Sequence, residues 1–139
     1  MKKAAEAIAN EADKYIFSLY SQAGKTIDST PSAATPLFNT VLQAREFLYE
    51  NNVGDNTELF LEVSPKIASF LLRDKVNTAY MNTDALESGY LGSIFGCKIF
   101  VCNNVEVGHA NGSEVHHCIL RTKRAIAFAD QLSEVEAYR

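Results

Sequence analysis

Apolar residues recur every three or four positions in the amino-terminal half of the chain, which is the spacing of an amphipathic helix. Over about residues 4–23 this spacing, with alanine-rich filler and no proline, predicts a first helix that stops at Gly24. A second helix is predicted over about residues 36–50, because Thr35 and Pro36 supply an N-cap and a first-turn proline. The predicted apolar faces consist of Ile8, Ala12, Tyr15, Ile16 and Leu19 in the first helix and of Leu37, Val41, Ala44 and Leu48 in the second.

The middle of the chain alternates between loop, strand and helix patterns. Residues 25–34 have no apolar period and are predicted to form a loop. Residues 58–63 alternate acidic and apolar side chains, which predicts a strand. Ser64 and Pro65 repeat the cap and proline signature at the exit of that strand, so a short third helix is expected to end near Arg73.

The carboxy-terminal half changes to a β pattern. Residues 93–101 are rich in β-branched and aromatic side chains, and Gly96 within them predicts a bulge or a sharp bend. Before them, residues 74–90 are polar with scattered apolar positions, although Thr83 could cap a single helical turn. The other predictions are an exposed loop tip over 105–113, strands over 115–121 and 125–128, and a tail over 130–139 that fits a helical turn or an extended arm. Together these elements predict one α+β unit spanning residues 1–139.

Length and composition limit the class of protein. With 139 residues, 47% hydrophobic and 22% charged, the chain fits one domain that buries a core without disulfides or a structural metal. No apolar run approaches the ~18 residues that span a bilayer, and Glu6 stands where a secretory signal places its apolar stretch. The net charge of −4 argues against a dedicated nucleic-acid binder. We therefore expect a protein that folds in the cytosol.

Three cysteines, Cys97, Cys102 and Cys118, are candidates for chemistry. Cys97 and Cys102 are five positions apart on one predicted strand, so their side chains point to opposite faces and are badly placed to bridge each other. In a reducing compartment an unpaired cysteine packs as a small hydrophobe. Free buried thiols are therefore expected, with a redox or metal role as the alternative.

His116, His117 and Cys118 form the best candidate for an active or metal site, because these residue types ligate zinc or pair as nucleophile and base. On a strand His116 and Cys118 share one face and His117 takes the other, so at most two ligands converge. No C-x-x-C or H-x-x-x-H motif completes a four-ligand site. A strand with outward polar residues is the favoured interpretation, and His109 is expected to be solvated in its loop.

The remaining polar residues give no catalytic pattern. The glycines form neither a dinucleotide-binding motif nor a P-loop. Carboxylates that could work as acid and base lie in segments predicted to be exposed: Asp55 with Glu58, and Glu134 with Glu136. A local basic patch without interleaved aromatic residues consists of Arg121, Lys123 and Arg124. No catalytic, cofactor-binding or metal-ligating residue is predicted, and the protein is not expected to be an enzyme.

Three segments resemble sequences of the major capsid proteins of tailed bacteriophages. They are Leu61–Arg73 (LEVSPKIASFLLR), Gly89–Val105 (GYLGSIFGCKIFVCNNV) and Ala125–Arg139 (AIAFADQLSEVEAYR). In that family a strand enters a Ser-Pro turn and a short helix, a stretch punctuated by glycines follows, and a segment ending in a similar "eayR" comes later. The order and the approximate spacing agree, and the resemblance runs over most of the chain from about Ala4.

The resemblance implies the fold named after bacteriophage Hong Kong 97, with amphipathic helices in the amino-terminal half and a small mixed sheet in the carboxy-terminal half. Residues 4–64 are then similar to the peripheral domain and residues 65–139 to the axial domain. Members of the family are usually longer, so the chain resembles a core fragment that lacks the amino-terminal arm, the extended loop and the carboxy-terminal strand.

The function implied by the resemblance is structural. Copies of a capsid protein fold in the bacterial cytoplasm and associate into the hexamers and pentamers of a head shell around phage DNA, so the protein is expected in the virion. Further partners implied by the resemblance are scaffold and portal proteins, without a cofactor, a membrane or sequence-specific nucleic-acid binding. The loops over 25–34 and 105–113 are candidate contacts between subunits, and residues 121–124 could pair with acids of a neighbouring subunit.

Two other functions stay open on the sequence. The chain could be a small intracellular α+β binding module that uses an exposed apolar groove. It could also be a thiol or metal enzyme built on His116, His117 and Cys118.

Overall fold

The computed structural model of the protein describes residues 2–30, 37–54, 56–78 and 92–127. The helices are α1 (Lys2–Ser18), which a 3-10 turn (Leu19–Gln22) continues, α2 (Leu37–Glu50) and α3 (Pro65–Thr78). The strands are β1 (Leu59–Val63), β2 (Ser93–Ile94), β3 (Cys97–Val101), β4 (Val107–Ala110), β5 (Ser113–His116) and β6 (Ile119–Thr122). The predicted α+β class is confirmed. The predicted cap at Thr35, the turn at Thr83 and the tail over 130–139 lie outside the described residues.

β1 lies inside a mixed four-stranded sheet with the order β2-β3-β1-β6. It runs parallel to β3, with Leu59 opposite Cys97, and antiparallel to β6, with Leu61 opposite Leu120. β2 pairs antiparallel with β3 at the other edge. A parallel pair needs a crossover connection, and α3 lies in the connection between β1 and β3. Strands from both halves of the sequence therefore share this sheet.

One face of the four-stranded sheet packs against α2 and α3. Leu59, Leu61 and Val63 alternate along β1 and are buried, as expected for a strand with one covered face. Leu71 of α3 is 0% exposed and lies in the same cluster. The other buried members are Leu37 and Val41 of α2, Ala68 of α3, Ile94 of β2 and Cys97 of β3. The three cysteines are free thiols; the predicted burial is confirmed for Cys97, whereas Cys102 and Cys118 are partly exposed.

α1 confirms the first predicted helix, but most of its side chains are exposed. Ile8 and Tyr15, predicted on its apolar face, are 70% and 65% exposed, whereas Phe17 is buried. Asn104 donates a side-chain hydrogen bond to Asn10 at 3.4 Å. The helical period therefore predicted the helix, although only part of its apolar face is covered.

α3 does not end near Arg73, as predicted, but continues to Thr78. Asp74, expected beyond the helix, lies inside it with a buried carboxylate. Its Oδ2 accepts a hydrogen bond of 2.7 Å from the backbone N–H of Leu37, the first residue of α2. A carboxylate at a helix amino terminus satisfies an otherwise free N–H and interacts favourably with the helix dipole. Asp74, a residue of α3, therefore caps the amino terminus of α2.

The bend predicted at Gly96 is the two-residue turn between β2 and β3. Phe95 and Gly96 have φ values of 50° and 77°, and positive values at both central positions are typical of a type I′ turn. The Phe95 ring forms a T-shaped contact with Phe38 in α2, with 5.7 Å between ring centroids. This contact holds an aromatic residue in a backbone region that bulky side chains rarely occupy.

Residues 105–113 do not form the predicted exposed loop tip. β4 and β5 pair there as a separate antiparallel two-stranded sheet, called the ribbon below, with Gly108 opposite Val115. Asn111 and Gly112 have φ values of 51° and 78° and form the turn of the ribbon. Asn-Gly between strands is a strong signal for this kind of hairpin, so the sequence carried the information that the loop prediction overlooked. Residues 25–30, by contrast, have no helix or strand, as predicted.

The strand predicted over residues 115–121 is interrupted between β5 and β6. The chain turns at His117 and Cys118, where the N–H of Cys118 donates to the carbonyl of His116 at 3.1 Å. His117 donates its own N–H to the carbonyl of Glu106 at 2.9 Å. These two hydrogen bonds lie where the ribbon ends, before the chain enters β6 of the four-stranded sheet.

The strand predicted over residues 125–128 is wrong for residues 125–127, which have no strand structure. The N–H of Ala125 donates to the carbonyl of Thr122 at 3.2 Å, so the chain turns after β6.

Across the part of the chain that the structure describes, none of the helices has the length and apolar character needed to cross a membrane.

Candidate functional site

A cluster of polar side chains surrounds the amino-terminal end of α3. Ser64, between β1 and α3, is 3% exposed. Its Oγ accepts a hydrogen bond of 3.4 Å from the N–H of Ile67, and its carbonyl accepts the N–H of Ala68 at 2.9 Å. The cap predicted from Ser64 and Pro65 is confirmed, because Ser64 satisfies free N–H groups of the first turn.

His116, at the end of β5, contacts this capping serine. Ser64 Oγ and His116 Nδ1 are 2.8 Å apart, although 52 positions separate the two residues in the sequence. The His116 side chain is 10% exposed, and its Nε2 is buried without a hydrogen-bond partner among the described residues. The nearest acidic atom is Glu114 Oε2, at 3.7 Å from Nε2, which is beyond hydrogen-bond distance.

Glu114 joins the ribbon to α3 by a second contact. Lys66 Nζ lies 2.6 Å from Glu114 Oε2, and both side chains are about half exposed. The hydrogen bond and the positive charge of Lys66 lower the pKa of the Glu114 carboxyl. The first turn of α3 therefore holds β5 through one buried contact and one exposed ion pair.

The residue types Ser64, His116 and Glu114 match those of a hydrolase triad, but the arrangement differs. A triad needs a hydroxyl that reaches the substrate and a base oriented by the acid. Ser64 is buried, its oxygen already accepts a helix N–H, and Glu114 is too far from His116 to orient it by a hydrogen bond. This geometry can hold the ribbon in position, and it presents no accessible nucleophile.

The three side chains of the candidate site, His116, His117 and Cys118, do not share one environment. His117 stacks on Tyr20, with ring centroids 3.9 Å apart and an interplanar angle of 11°. Burial raises the pKa of the Cys118 thiol, against a smaller effect of a backbone hydrogen bond at Ser64. A partly buried thiol with a raised pKa is a poor nucleophile, because little of it is present as thiolate. Over the described ranges no group of three or more His, Cys, Asp or Glu side chains could hold a metal ion.

The face of the four-stranded sheet opposite the helices, called the outer face below, carries aromatic and charged residues. Phe60 of β1 and Phe100 of β3 lie with ring centroids 5.9 Å apart. Arg121 of β6 lies 5.7 Å from the Phe60 ring, and Lys98 of β3 lies 5.9 Å from it. Phe100 is 51% exposed, so the outer face offers apolar surface next to paired charges.

Arg121, a candidate for pairing with an acid of a neighbouring subunit, has an acidic partner within its own chain. Its guanidinium makes two contacts with Glu62 of the neighbouring β1, at 3.2 Å and 2.6 Å, and both side chains are largely buried. A second pair on this face joins Lys98 to Glu58 at 2.5 Å and lowers the pKa of Glu58. Most of the charge on the outer face is therefore neutralised within the chain.

The other sequence candidates are dispersed. His109 is exposed in β4, in agreement with its predicted solvation, and Lys123 and Arg124 are exposed after β6. Asp55, Glu134 and Glu136 lie outside the described residues.

An open groove of about 470 Å³ lies between residues 25–27 and one side of α2. Its lining, which includes Lys25, Glu46, Phe47 and Glu50, does not include the polar cluster at α3.

Comparisons with known proteins give one structural relationship. No family model matches the chain, and no curated protein matches it. A solved chain from Mycobacterium phage Che8 superposes with a TM-score of 0.62 at 24% identity, over 76% of this chain and 40% of the phage chain. The chain thus spans less than half of the length of that phage chain. The two share a fold.

Proposed function

We propose that the chain is a structural subunit, or part of one, of a tailed-phage head: a major capsid protein whose copies associate into the shell. The shared fold with a phage chain is the observation that carries the proposal. Three sequence segments that resemble major capsid proteins support it independently of the fold. Neither argument alone identifies a function, because one fold serves many functions.

Two of the three segments with the capsid resemblance build the core that the structure describes. Leu61–Arg73 provides most of β1, the Ser64 cap and most of α3, and residues 92–105 provide β2, β3 and the turn between them. These elements supply buried core residues from Leu61 to Val105. The resemblance therefore rests on residues that determine the fold, and not only on loops.

Exposed apolar side chains support association with other copies. Phe100 of β3 is 51% exposed on the outer face, and its ring centroid lies 5.9 Å from that of Phe60. Neighbouring apolar side chains on a surface are typical of protein interfaces. We propose the outer face as a contact between subunits, with hexamers and pentamers as the products and scaffold and portal proteins as further partners in the virion. The proposal includes no catalytic role.

Light scattering over a range of protein concentrations tests self-association. A monomer has a mass of 15.3 kDa, and we expect the average mass to rise several-fold with concentration. Phe100→Glu should suppress this rise, because a charge replaces apolar contact area. Val107→Glu is the matched control, since Val107 is a 42% exposed apolar residue on the ribbon. A mass that stays at the monomer value at every concentration contradicts the proposal, and equal effects of the two variants contradict the assignment of the outer face.

A further inference from the structure

Two surfaces of opposite charge lie on separate parts of the subunit. One is the groove between residues 25–27 and α2, called the acidic groove below, which Glu46 and Glu50 line. The other is the turn after β6, called the basic turn below, which carries Lys123 and Arg124. We propose that the basic turn of one copy docks on the acidic groove of a second copy. This inference rests on the proposed self-association of the chain and names the two surfaces of one contact in it.

The carboxylates of the acidic groove form no ion pair within the part of the chain that the structure describes. Glu46 and Glu50 are exposed and lie four positions apart on α2, so their like charges repel each other. The cations beside them lie on aromatic rings instead. Lys25 Nζ is 5.9 Å from the centre of the Phe47 ring, and the Arg45 guanidinium is 4.7 Å from the centre of a tyrosine ring one turn further along α2. The groove therefore carries negative charge that its own subunit does not pair.

The basic turn presents two cations to solvent. A hydrogen bond of 3.2 Å from the N–H of Ala125 closes the turn, and Lys123 and Arg124 lie at its centre. Both are exposed, and neither forms an ion pair among the described residues. The pKa of Glu58 is lowered mainly by Lys98 and least by Lys123, so Lys123 acts on that carboxyl only at long range. Both cations are therefore available to an acid of another copy.

The lining of the acidic groove suits these two side chains. Ile27 and Phe47 are half-buried and add apolar surface to it, on which long basic side chains pack their methylene groups while the charged head stays in water. The planar guanidinium of Arg124 can form two parallel hydrogen bonds with one carboxylate. Lys25 also lines the groove and opposes docking in part, but the two carboxylates outnumber it.

The positions of the two surfaces determine the kind of contact. The acidic groove lies beside α2 in the helix layer, whereas the basic turn follows β6 at one edge of the four-stranded sheet. Neither Lys123 nor Arg124 lines the groove. A contact between different surfaces of two copies is heterologous, and repeated heterologous contacts close into rings when the rotation between copies permits. The contact therefore fits the proposed hexamers and pentamers, whereas an isologous contact joins only two copies.

Charge reversal in the full chain tests this contact, with dissociation constants measured by light scattering over a range of concentrations. Arg124→Glu and Glu46→Lys each place like charges across the contact, so we expect each variant alone to have a dissociation constant at least about tenfold higher than the unmodified protein. An equimolar mixture of the two variants again offers opposite charges at every contact, and its average mass should return toward that of the unmodified protein. Lys3→Glu, at an exposed lysine of α1, is the matched control and should associate like the unmodified protein.

Equal dissociation constants of Arg124→Glu and Lys3→Glu overturn the proposal, as does a mixture of the two reversed variants that associates no better than either alone. Association that is lost in Phe100→Glu but not in Arg124→Glu overturns this contact and leaves the proposed function standing. Unmodified protein that stays monomeric at every concentration overturns both.

Discussion

The four-stranded sheet and the ribbon are made from strands of similar length, but different interactions hold them in place. In the four-stranded sheet, Leu59, Leu61 and Val63 of β1 are 6% exposed or less and pack on the helices. In the ribbon, Val107 and Val115 are at least 36% exposed, and its contacts with α3 are the hydrogen bond of His116 and the ion pair of Glu114.

Because apolar burial holds the four-stranded sheet and polar contacts hold the ribbon, we expect the sheet to determine the stability of the whole protein and the polar contacts to determine only the order of the ribbon. Burial of apolar area contributes about 25 cal/mol per Å² and involves the whole core at once. A polar contact contributes about 0.5–1.5 kcal/mol and can be lost without exposing that core. We therefore expect the four-stranded sheet to unfold only with the whole protein, and the ribbon to open by itself.

The largest effect is expected from Leu71→Ala, in the core beneath the four-stranded sheet. Leu71 is 0% exposed, and truncation of a buried leucine leaves a cavity that lowers the free energy of unfolding by about 2–5 kcal/mol. Urea unfolding measures this loss. Leu42→Ala, at a leucine of α2 that is 39% exposed, is the control and should cost much less. Equal costs would show that the helices do not bury the sheet as described.

The next largest effect is expected from Arg121→Met on the outer face. This change leaves the Glu62 carboxylate, whose side chain is 13% exposed, without its partner. We expect a loss of about 1–3 kcal/mol in the free energy of unfolding. The same change at Lys98, whose pair with Glu58 is more than half exposed, should cost less than the change at Arg121, because solvent screens that pair. A smaller loss at Arg121 than at Lys98 would contradict the burial of the Arg121 pair.

The two hairpin turns provide a direct comparison between the sheets. Gly96 and Gly112 both have positive φ and open space where a Cβ would stand, so alanine introduces the same backbone strain of about 1–2 kcal/mol at each site. Gly96→Ala should lower the free energy of global unfolding, because its hairpin belongs to the core. Gly112→Ala should reduce amide protection only in the ribbon. Global destabilisation of similar size in both variants would show that the ribbon does not open separately.

The smallest effect is expected from Lys66→Ala, which removes an exposed ion pair of the ribbon. The cost in the free energy of unfolding at neutral pH should be small, because solvent screens an exposed ion pair. The lowered pKa of Glu114 contributes stability that is present above the usual glutamate pKa and is lost as the pH falls through the lowered value. Ribbon protection in the unmodified protein should therefore decline in acid below about pH 4.5, and Lys66→Ala should flatten this decline. Amide exchange at low pH checks this, and an unchanged profile would contradict it.

Features that depend on neighbouring residues could be predicted from the sequence. The helical period located α1 and α2, the alternation located β1, and the Ser64-Pro65 signature located the cap of α3. Such signals lie within a few residues of the element that they specify, so they can be identified without knowledge of tertiary contacts. The Asn111-Gly112 signal was equally local, and its omission led to the wrong loop over residues 105–113.

Features that depend on distant residues could not be predicted. Asp74 stays inside α3 because its carboxylate caps α2, 37 positions away. The polar cluster depends on the contact of Ser64 with His116 across 52 positions. His116 was selected as a candidate from its residue type, and its hydrogen-bond partner is Ser64, the cap of α3. Exposure of Ile8 and Tyr15 likewise depends on which surfaces α1 meets, and the helical period alone does not determine that.

Electron microscopy of the concentrated protein tests the central claim most directly, since a shell-forming subunit must associate with copies of itself in closed symmetric contacts. The proposal predicts ring-shaped particles with fivefold or sixfold symmetry, and their loss in Phe100→Glu. Particles that remain single 15.3 kDa subunits at every concentration would contradict it.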